Sequence, residues 1–304
     1  LPYLDDIYWH VIPDGASRAV AYENGDVDVL PGGSVENFDV PRLSELPNTC
    51  ITGGGWEYFS PMAWMWLNNR EGPLADKRVR QAVLHSIDRE FARDVIWNGL
   101  GKVPTGPVSS VVRFYEPDVK HYDYDPDRAK ELLEEAGYNG EPIRMLPLPY
   151  GETWQRWAEA VRQNMQDAGF NIVMEATDVG GWNQRLGDWD FDMAFTYLYQ
   201  YGDPALGVTR NYISSNIAKG SQWNNVGGYV NERVDELAAA GAVAFPDEKR
   251  QEIYSEMQRI IVEDAPIAWL LEIEFPTIYR CDLKNLVTTA IGVNDGFLDA
   301  WLDR

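Results

Sequence analysis

Cationic side chains are scarce in this sequence. Its 26 lysines and arginines face 48 aspartates and glutamates, for a formal net charge of -22 over 304 residues. Nucleic-acid binding needs a Lys/Arg surface that displaces counterions from phosphate, so this balance argues against that class of partner. It argues equally against docking onto anionic lipid headgroups, and leaves a solvated, self-repelling acidic surface. Long apolar runs are also missing. The longest, around Met62–Leu67, has strand length, whereas a membrane-spanning helix needs ~20 residues. Cysteine and histidine are few: Cys50 and Cys281, then His10, His85 and His121. No CxxC pair occurs, so a Cys/His zinc site is not expected, and one long-range disulfide or two free thiols remain open. GxSxG, HExxH, Walker and GxGxxG strings are absent, so neither a metal nor a cofactor is expected, and catalysis is not the first reading. No signal peptide opens the chain. Leu1-Pro2-Tyr3 reads as the inside of a domain, and the numbered chain is expected to be a processed or cut piece.

What is present is ordinary globular material, 45% hydrophobic and 24% charged, at a length that accommodates about two domains. Strand and helix patterns alternate. Ile7–Ile12 reads as a strand, Ala16–Glu23 as a helix stopped at Asn24-Gly25, and Val27–Leu30 as a second strand, which together predict an α/β domain. A β-rich run from Cys50 to Leu67 is broken by Gly53-Gly54-Gly55. Asp76 is placed to cap a helix with Val79, Val83 and Ile87 at helical spacing, and Asp88 to start the next, ending at Gly99. After a Pro-rich loop from Pro104 to Pro117, Asp125-Pro126-Asp127 opens a helix closed by Gly137. Ile143–Leu148, Ile172–Ala176 and Phe191–Tyr197 read as strands, with a Trp154–Ala168 helix among them. Glu232–Ala240 and Asp247–Glu263 read as helices, and Ile267–Phe275 and Thr277–Val287 as closing strands. No repeat, low-complexity tract or linker occurs, so domain boundaries are expected where strands cross between domains.

Two groups of carboxylates need an account. Asp123, Asp125, Asp127 and Glu134 imitate part of a calcium loop, but Arg128 stands where the turn needs Gly and Pro126 interrupts it, so helix capping is expected instead. Asp190/Asp192 and Glu272/Glu274 invite comparison with a glycosidase pair, yet i, i+2 spacing on a strand says only that each pair shares a face. The aromatic load carries more information. Of the twelve tryptophans, many crowd into Trp56–Trp66, Trp154/Trp157 and Trp182/Trp189, beside the Tyr197–Tyr201 run. Trp157, at helical spacing with Val161 and Met165, reads as core.

Several strings in combination resemble family 5 of the solute-binding proteins, the group containing the dipeptide- and oligopeptide-binding proteins. They are Leu1–Asp28 with its closing Gly25-Asp26-Val27-Asp28, Pro73–Ala82 continuing to Ile87-Asp88-Arg89, and Tyr124–Leu133 closing with Glu135-Ala136-Gly137-Tyr138. Gly202-Asp203-Pro204 and the Tyr254 to Pro266 stretch complete the set. Their order and spacing match over essentially the whole chain, without the amino-terminal portion of a typical member. The resemblance implies an α/β, two-lobed periplasmic-binding-protein-like fold (type II, peptide-binding cluster), present as its carboxy-terminal part only. Residues 1–56 and 273–304 would belong to lobe I and 57–272 to lobe II, with strands near Trp64 and Glu272 crossing between them.

The function implied is that of the extracytoplasmic substrate-binding component of an ABC importer. Such a protein is no enzyme; it captures a peptide or related polar solute and delivers it to a membrane permease. A periplasmic or extracytoplasmic monomer is expected, with a lipid anchor on the full-length precursor left open. The rivals are a secreted glycan-active hydrolase, and a sensory or scaffold module on the same fold. By resemblance, Trp182, Tyr199, Gln200, Tyr201 and Asp203 face the ligand, with Trp64 and Glu272 on the crossing strands. Cys50 and Cys281 fall in lobe I strands of an oxidising compartment, which predicts one disulfide. Members that grip a dipeptide place an Asp four residues before the position of Pro204 and an Arg ahead of the Trp154–Ala168 helix; here Gln200 and Gly151 stand there. A longer peptide held by its backbone, or a non-peptide solute such as an oligosaccharide, is therefore expected over free dipeptides.

Overall fold

A computed structural model describes residues 1–303. Its strands, in chain order, begin with β1 (Val29–Leu30), β2 (Thr49–Thr52), β3 (Met62–Leu67), β4 (Ile143–Leu146) and β5 (Ile172–Met174). There follow β6 (Met193–Leu198), β7 (Ile267–Glu272), β8 (Thr277–Arg280), β9 (Leu283–Lys284) and β10 (Trp301–Leu302). The larger sheet has the order β5–β4–β6–β3–β7. β4 runs parallel to β5 and β6, whereas β6–β3 and β3–β7 are antiparallel. Every residue of β3 and β7 is buried, which explains why β3 is apolar throughout and β7 apolar up to Glu272: strands covered on both faces do not alternate. The main hydrophobic cluster gathers around this sheet and runs from Met62 to Phe275.

The helices on this sheet begin where their sequences say. Asp76, Asp88 and Asp125 each accept from a backbone N–H two or three residues on, at 2.8, 2.9 and 2.9 Å. Those bonds satisfy amides that have no partner within the helix. The helix after Asp88 is short, Arg89–Phe91, and passes into a π-helical turn at Ala92–Ile96.

A smaller sheet, β1–β8–β2, is antiparallel throughout. The Gly15–Asn24 and Asp39–Ser44 helices lie on it and share a separate core of Ala19, Tyr22, Leu30, Val40, Leu43 and Ile278. Cys50 in β2 and Cys281 just after β8 are disulfide-bonded, their Cα atoms 5.0 Å apart across 231 residues of sequence. The β9–β10 pair carries a third small cluster around Leu283, Leu286, Val293 and Ala300.

The structure departs from the sequence expectation in three places. Ile7–Ile12 forms no ladder among the described residues; Tyr8 is 78% and Val11 95% exposed. Alternation favours an extended backbone, but a strand also needs a neighbour, and this segment instead walls a cavity of ≈ 720 Å³ opposite Leu283, Leu286 and Phe297. Arg18 holds its end by donating to the Ile12 and Pro13 carbonyls at 2.6 and 3.1 Å. The long closing strand is split at Cys281-Asp282 into β8 and β9. Two helices, Asp39–Ser44 and Val179–Asp188, arise in stretches where the sequence pattern assigns no element; Asp178 caps the second through the Gly181 N–H at 2.7 Å. No helix among the described residues is long and apolar enough to cross a membrane.

Candidate ligand site

Tyr197, Tyr199 and Tyr201 occupy alternate positions at the end of β6 and just beyond it. A period of two turns such residues to one side, and their rings follow one another at 5.9 and 6.1 Å. Neighbours extend the row into a wall. Tyr150 lies 6.3 Å from Tyr197, Tyr58 5.8 Å from Tyr201, and Trp56 stacks on Tyr199 at 6.4 Å with 28° between planes. Phe275 joins Trp56 to Tyr197 at 5.2 and 5.7 Å. Trp56, Tyr197, Tyr199 and Tyr201 are half-buried, while Tyr58 and Tyr150 are exposed. Behind them Trp154 stacks on Tyr197 at 5.6 Å, and Trp97 and Trp157 fill the core. Burial pushes the Tyr197 and Tyr199 hydroxyls above the usual phenol pKa.

Arg210 sits at the rim of this wall. Its Nη2 donates to the Tyr199 carbonyl at 3.1 Å, its Nε to that of Gly207 at 3.3 Å, and its Cζ lies 5.6 Å from the Tyr201 ring. Burial pulls its pKa down, and no carboxylate among the described residues pairs with it. Flat aromatic faces, phenol hydroxyls and one such cation suit peptide planes, apolar side chains or sugar rings.

The other residues singled out from sequence lie elsewhere. Gln200 falls between the tyrosines in the alternation and turns away from them. Its Oε1 accepts from the Ser109 N–H at 2.9 Å and its Nε2 donates to the Pro107 carbonyl at 3.0 Å, all buried. Glu272 meets the same loop, accepting from Ser110 N–H at 2.9 Å and from the Ser109 and Ser110 hydroxyls at 3.0 and 2.7 Å. Asp203 accepts from Ala205 N–H and is ion-paired to Arg250. Trp64 is 2% exposed inside β3, edge-on to Trp66 at 5.4 Å. Trp182 is 0% exposed on the Val179–Asp188 helix, its ring 5.9 Å from Trp223. The structure thus brings together Tyr199 and Tyr201 from that set, and adds Trp56, Tyr58, Tyr150, Tyr197 and Arg210. The Tyr197/Tyr199/Tyr201 alternation was visible in the sequence; the others arrive from distant segments.

One further contact borders the wall. The Glu152–Asp167 helix begins beside Tyr150 and has no cap of its own, because Gly151 stands at that position with φ +112°. Glu36, from the loop after β1, supplies one: it accepts from Glu152 N–H at 3.2 Å, Thr153 N–H at 3.1 Å and Thr153 Oγ1 at 2.6 Å.

The model of bacterial extracellular solute-binding proteins, family 5 Middle, matches residues 1–219. The chain belongs to family 5 of the bacterial extracellular solute-binding proteins. Among curated relatives, this family 5 chain is 23% identical over 279 residues to the probable D,D-dipeptide-binding periplasmic protein DdpA of Escherichia coli, covering 91% of this chain and 52% of that protein. It is 24% identical over 325 residues to the glutathione-binding protein GsiB of Shigella flexneri, covering 98% and 57%. Among solved structures it resembles the ABC transporter-associated periplasmic binding protein DppA from Helicobacter pylori in complex with peptide STSA. There the TM-score is 0.85 at 24% identity, over 96% of this chain and 56% of that one. It also resembles the oligopeptide-binding protein AppA from Bacillus subtilis in complex with a nonapeptide, with TM-score 0.82 at 20% identity, over 97% and 60%. The fold is that of the two-lobed periplasmic binding proteins, and the chain spans about half the length of the curated relatives it matches.

Proposed function

We propose that this family 5 chain is the ligand-capturing part of an extracytoplasmic, non-enzymatic component of an ABC importer. It closes two lobes on a peptide or related polar solute and delivers it to a membrane permease. The observation that carries this reading is the half-buried row of Tyr197, Tyr199 and Tyr201 with Trp56 stacked on it. In this reading residues 1–56 and 273–304 form one lobe and 57–272 the other, a division supported by the separate clusters around Tyr22 and Leu283, while Ile273 and Phe275, just past the boundary, still pack in the main core. Two similar structures, one in complex with peptide STSA and one with a nonapeptide, support a peptide as the solute.

Binding without turnover is supported by how the close-spaced carboxylates are held. Asp190 and Asp192 both engage Arg144, and the Arg144 and Arg185 guanidiniums hold the Asp190 carboxyl below its usual pKa. Glu272 is tied to two serines. Tyr199 and Tyr201 are the ligand contacts; Gln200, Asp203, Glu272, Trp64 and Trp182 shape the scaffold behind them. No carboxylate or arginine occupies the two dipeptide-anchor positions, so the preferred ligand is a peptide longer than two residues, held along its backbone.

A thermal-shift screen of di-, tri- and tetrapeptides with free and blocked termini tests this. A ligand at ~100 times its dissociation constant adds ~2.7 kcal/mol of stability. Tetrapeptides should shift the melting temperature strongly, Tyr199→Ala should abolish the shift while the fold is retained, and no peptide should be cleaved. Shifts from dipeptides alone, lost when their termini are blocked, would overturn the ligand assignment; product formation would overturn the binding reading.

A further inference from the structure

We infer, resting on the two-lobed reading above, that Glu36 is a latch across the ligand cleft and a specificity residue. Its carboxylate holds the closed arrangement and keeps a ligand's free carboxylate away from the start of the Glu152–Asp167 helix.

Glu36 and its partners belong to bodies with different cores. The loop bearing Glu36 leads into the Asp39–Ser44 helix, whose Val40 and Leu43 pack in the smaller cluster. The Glu152–Asp167 helix buries Trp154, Trp157 and Val161 in the main cluster. Between Glu36 and the two amides lie 116 and 117 positions of sequence, so nothing local forces them together. The contact is also strong in kind. The amides of a first helical turn lack intrahelical partners, and the helix dipole favours a negative charge at that end. A carboxylate that accepts two N–H groups and a hydroxyl makes charge-assisted bonds, about twice as strong as neutral ones. Thr153 is buried, so water competes poorly for its hydroxyl.

Gly151 makes the contact possible. Its φ of +112° lies where side chains are rarely tolerated, and a Cβ there would stand 2.5 Å from Glu36 Oε1. Any larger residue would push the carboxylate out. Glu36 and Gly151 therefore act as one device: the glycine leaves the helix uncapped and opens the space, and the glutamate fills it. Tyr150, the next residue back, belongs to the aromatic wall, so a ligand on that wall reaches this corner. A ligand carboxylate arriving there meets a like charge and finds the donors taken. A neutral group does not.

The test uses the full chain with spin labels at Val20→Cys and Val243→Cys, exposed positions on helices of the two bodies; the native cysteines are disulfide-bonded and take no label. Without ligand, the parent should give one narrow interlabel distance. Glu36→Ala, and Thr153→Val as the variant that removes only a hydroxyl, should each broaden it toward longer values. Unchanged distances in both variants would overturn the latch. Calorimetry with tetraalanine and its carboxamide as probes reads the specificity. The parent should prefer the carboxamide by about tenfold, the order expected for one charge-assisted bond, and Glu36→Ala should erase that preference. An equal preference in parent and variant would overturn the specificity role. If neither probe binds the parent, the peptide reading fails, and the distances still decide the latch.

Discussion

Asp203 is gripped end-on by Arg250: Nη1 reaches Oδ2 at 2.9 Å and Nη2 reaches Oδ1 at 2.8 Å, with the side chains only 17% and 15% exposed. The same carboxylate caps the turn after it through Ala205 N–H at 3.0 Å. Removing one partner of such a pair leaves the other charge poorly solvated. Asp203→Ala and Arg250→Ala should each destabilise the fold by about 3 kcal/mol, the low end for a broken buried pair. Urea denaturation of the double variant should show less than the sum of the two losses, and additive losses would mean that the pair is not coupled.

The loop Pro107–Ser110 is clamped from two strands, by Gln200 beyond β6 and by Glu272 in β7. Gln200→Leu would leave a buried N–H and a buried carbonyl unpaired, at about 1–3 kcal/mol for such a group. Hydrogen exchange at Ser109 and Ser110 should quicken in Gln200→Leu and in Glu272→Gln. Wild-type exchange rates at those amides, with lower affinity for tetrapeptide instead, would return both residues to the ligand.

Stability should fall in mild acid, and His85 should be one reason. Burial holds its imidazole below its ordinary pKa of 6.5, and its Nδ1 lies 2.9 Å from the Asp123 carbonyl. The unfolded chain therefore takes up that proton first as pH drops. The contribution is complete above the unfolded value and is lost as pH falls through the folded one. A ring titration by NMR should place the folded pKa below 6.5, and His85→Gln should flatten the stability–pH slope in that window. An unaltered slope would assign the acid sensitivity to other groups.

Reducing the Cys50–Cys281 bond should loosen the smaller sheet before the larger one. The bridge ties β2 to the end of β8 across 231 residues, and removing a native disulfide typically costs about 2–4 kcal/mol. In Cys50→Ser/Cys281→Ser, exchange should accelerate at Ile51 and Ile278, which pair across β2–β8. Amides of β3 and β6, buried in the main core, should keep their protection. Uniform acceleration across both sheets would show that the two unfold as one unit.

The sequence by itself determined what is local. Asp76, Asp88 and Asp125 cap amides two or three positions away, and the buried strands announce themselves as apolar runs, β3 throughout and β7 up to Glu272. The tyrosines at 197, 199 and 201 share a side because a strand repeats every two residues, and the family strings lie in the order that the fold requires. Tertiary structure decided the rest. Whether Gln200 faces solute or scaffold depended on Ser109, 91 positions away, and the duty of Glu272 on the same residue at 163. Ile7–Ile12 has the pattern of a strand but pairs with no neighbour among the described residues, and Trp182 lies on a helix that turns it wholly inward. Glu36 carried no motif at all. Its partners stand 116 and 117 positions on, and a polar side chain takes its role from whichever donors the folded chain brings within hydrogen-bonding reach, which spacing along the sequence does not encode.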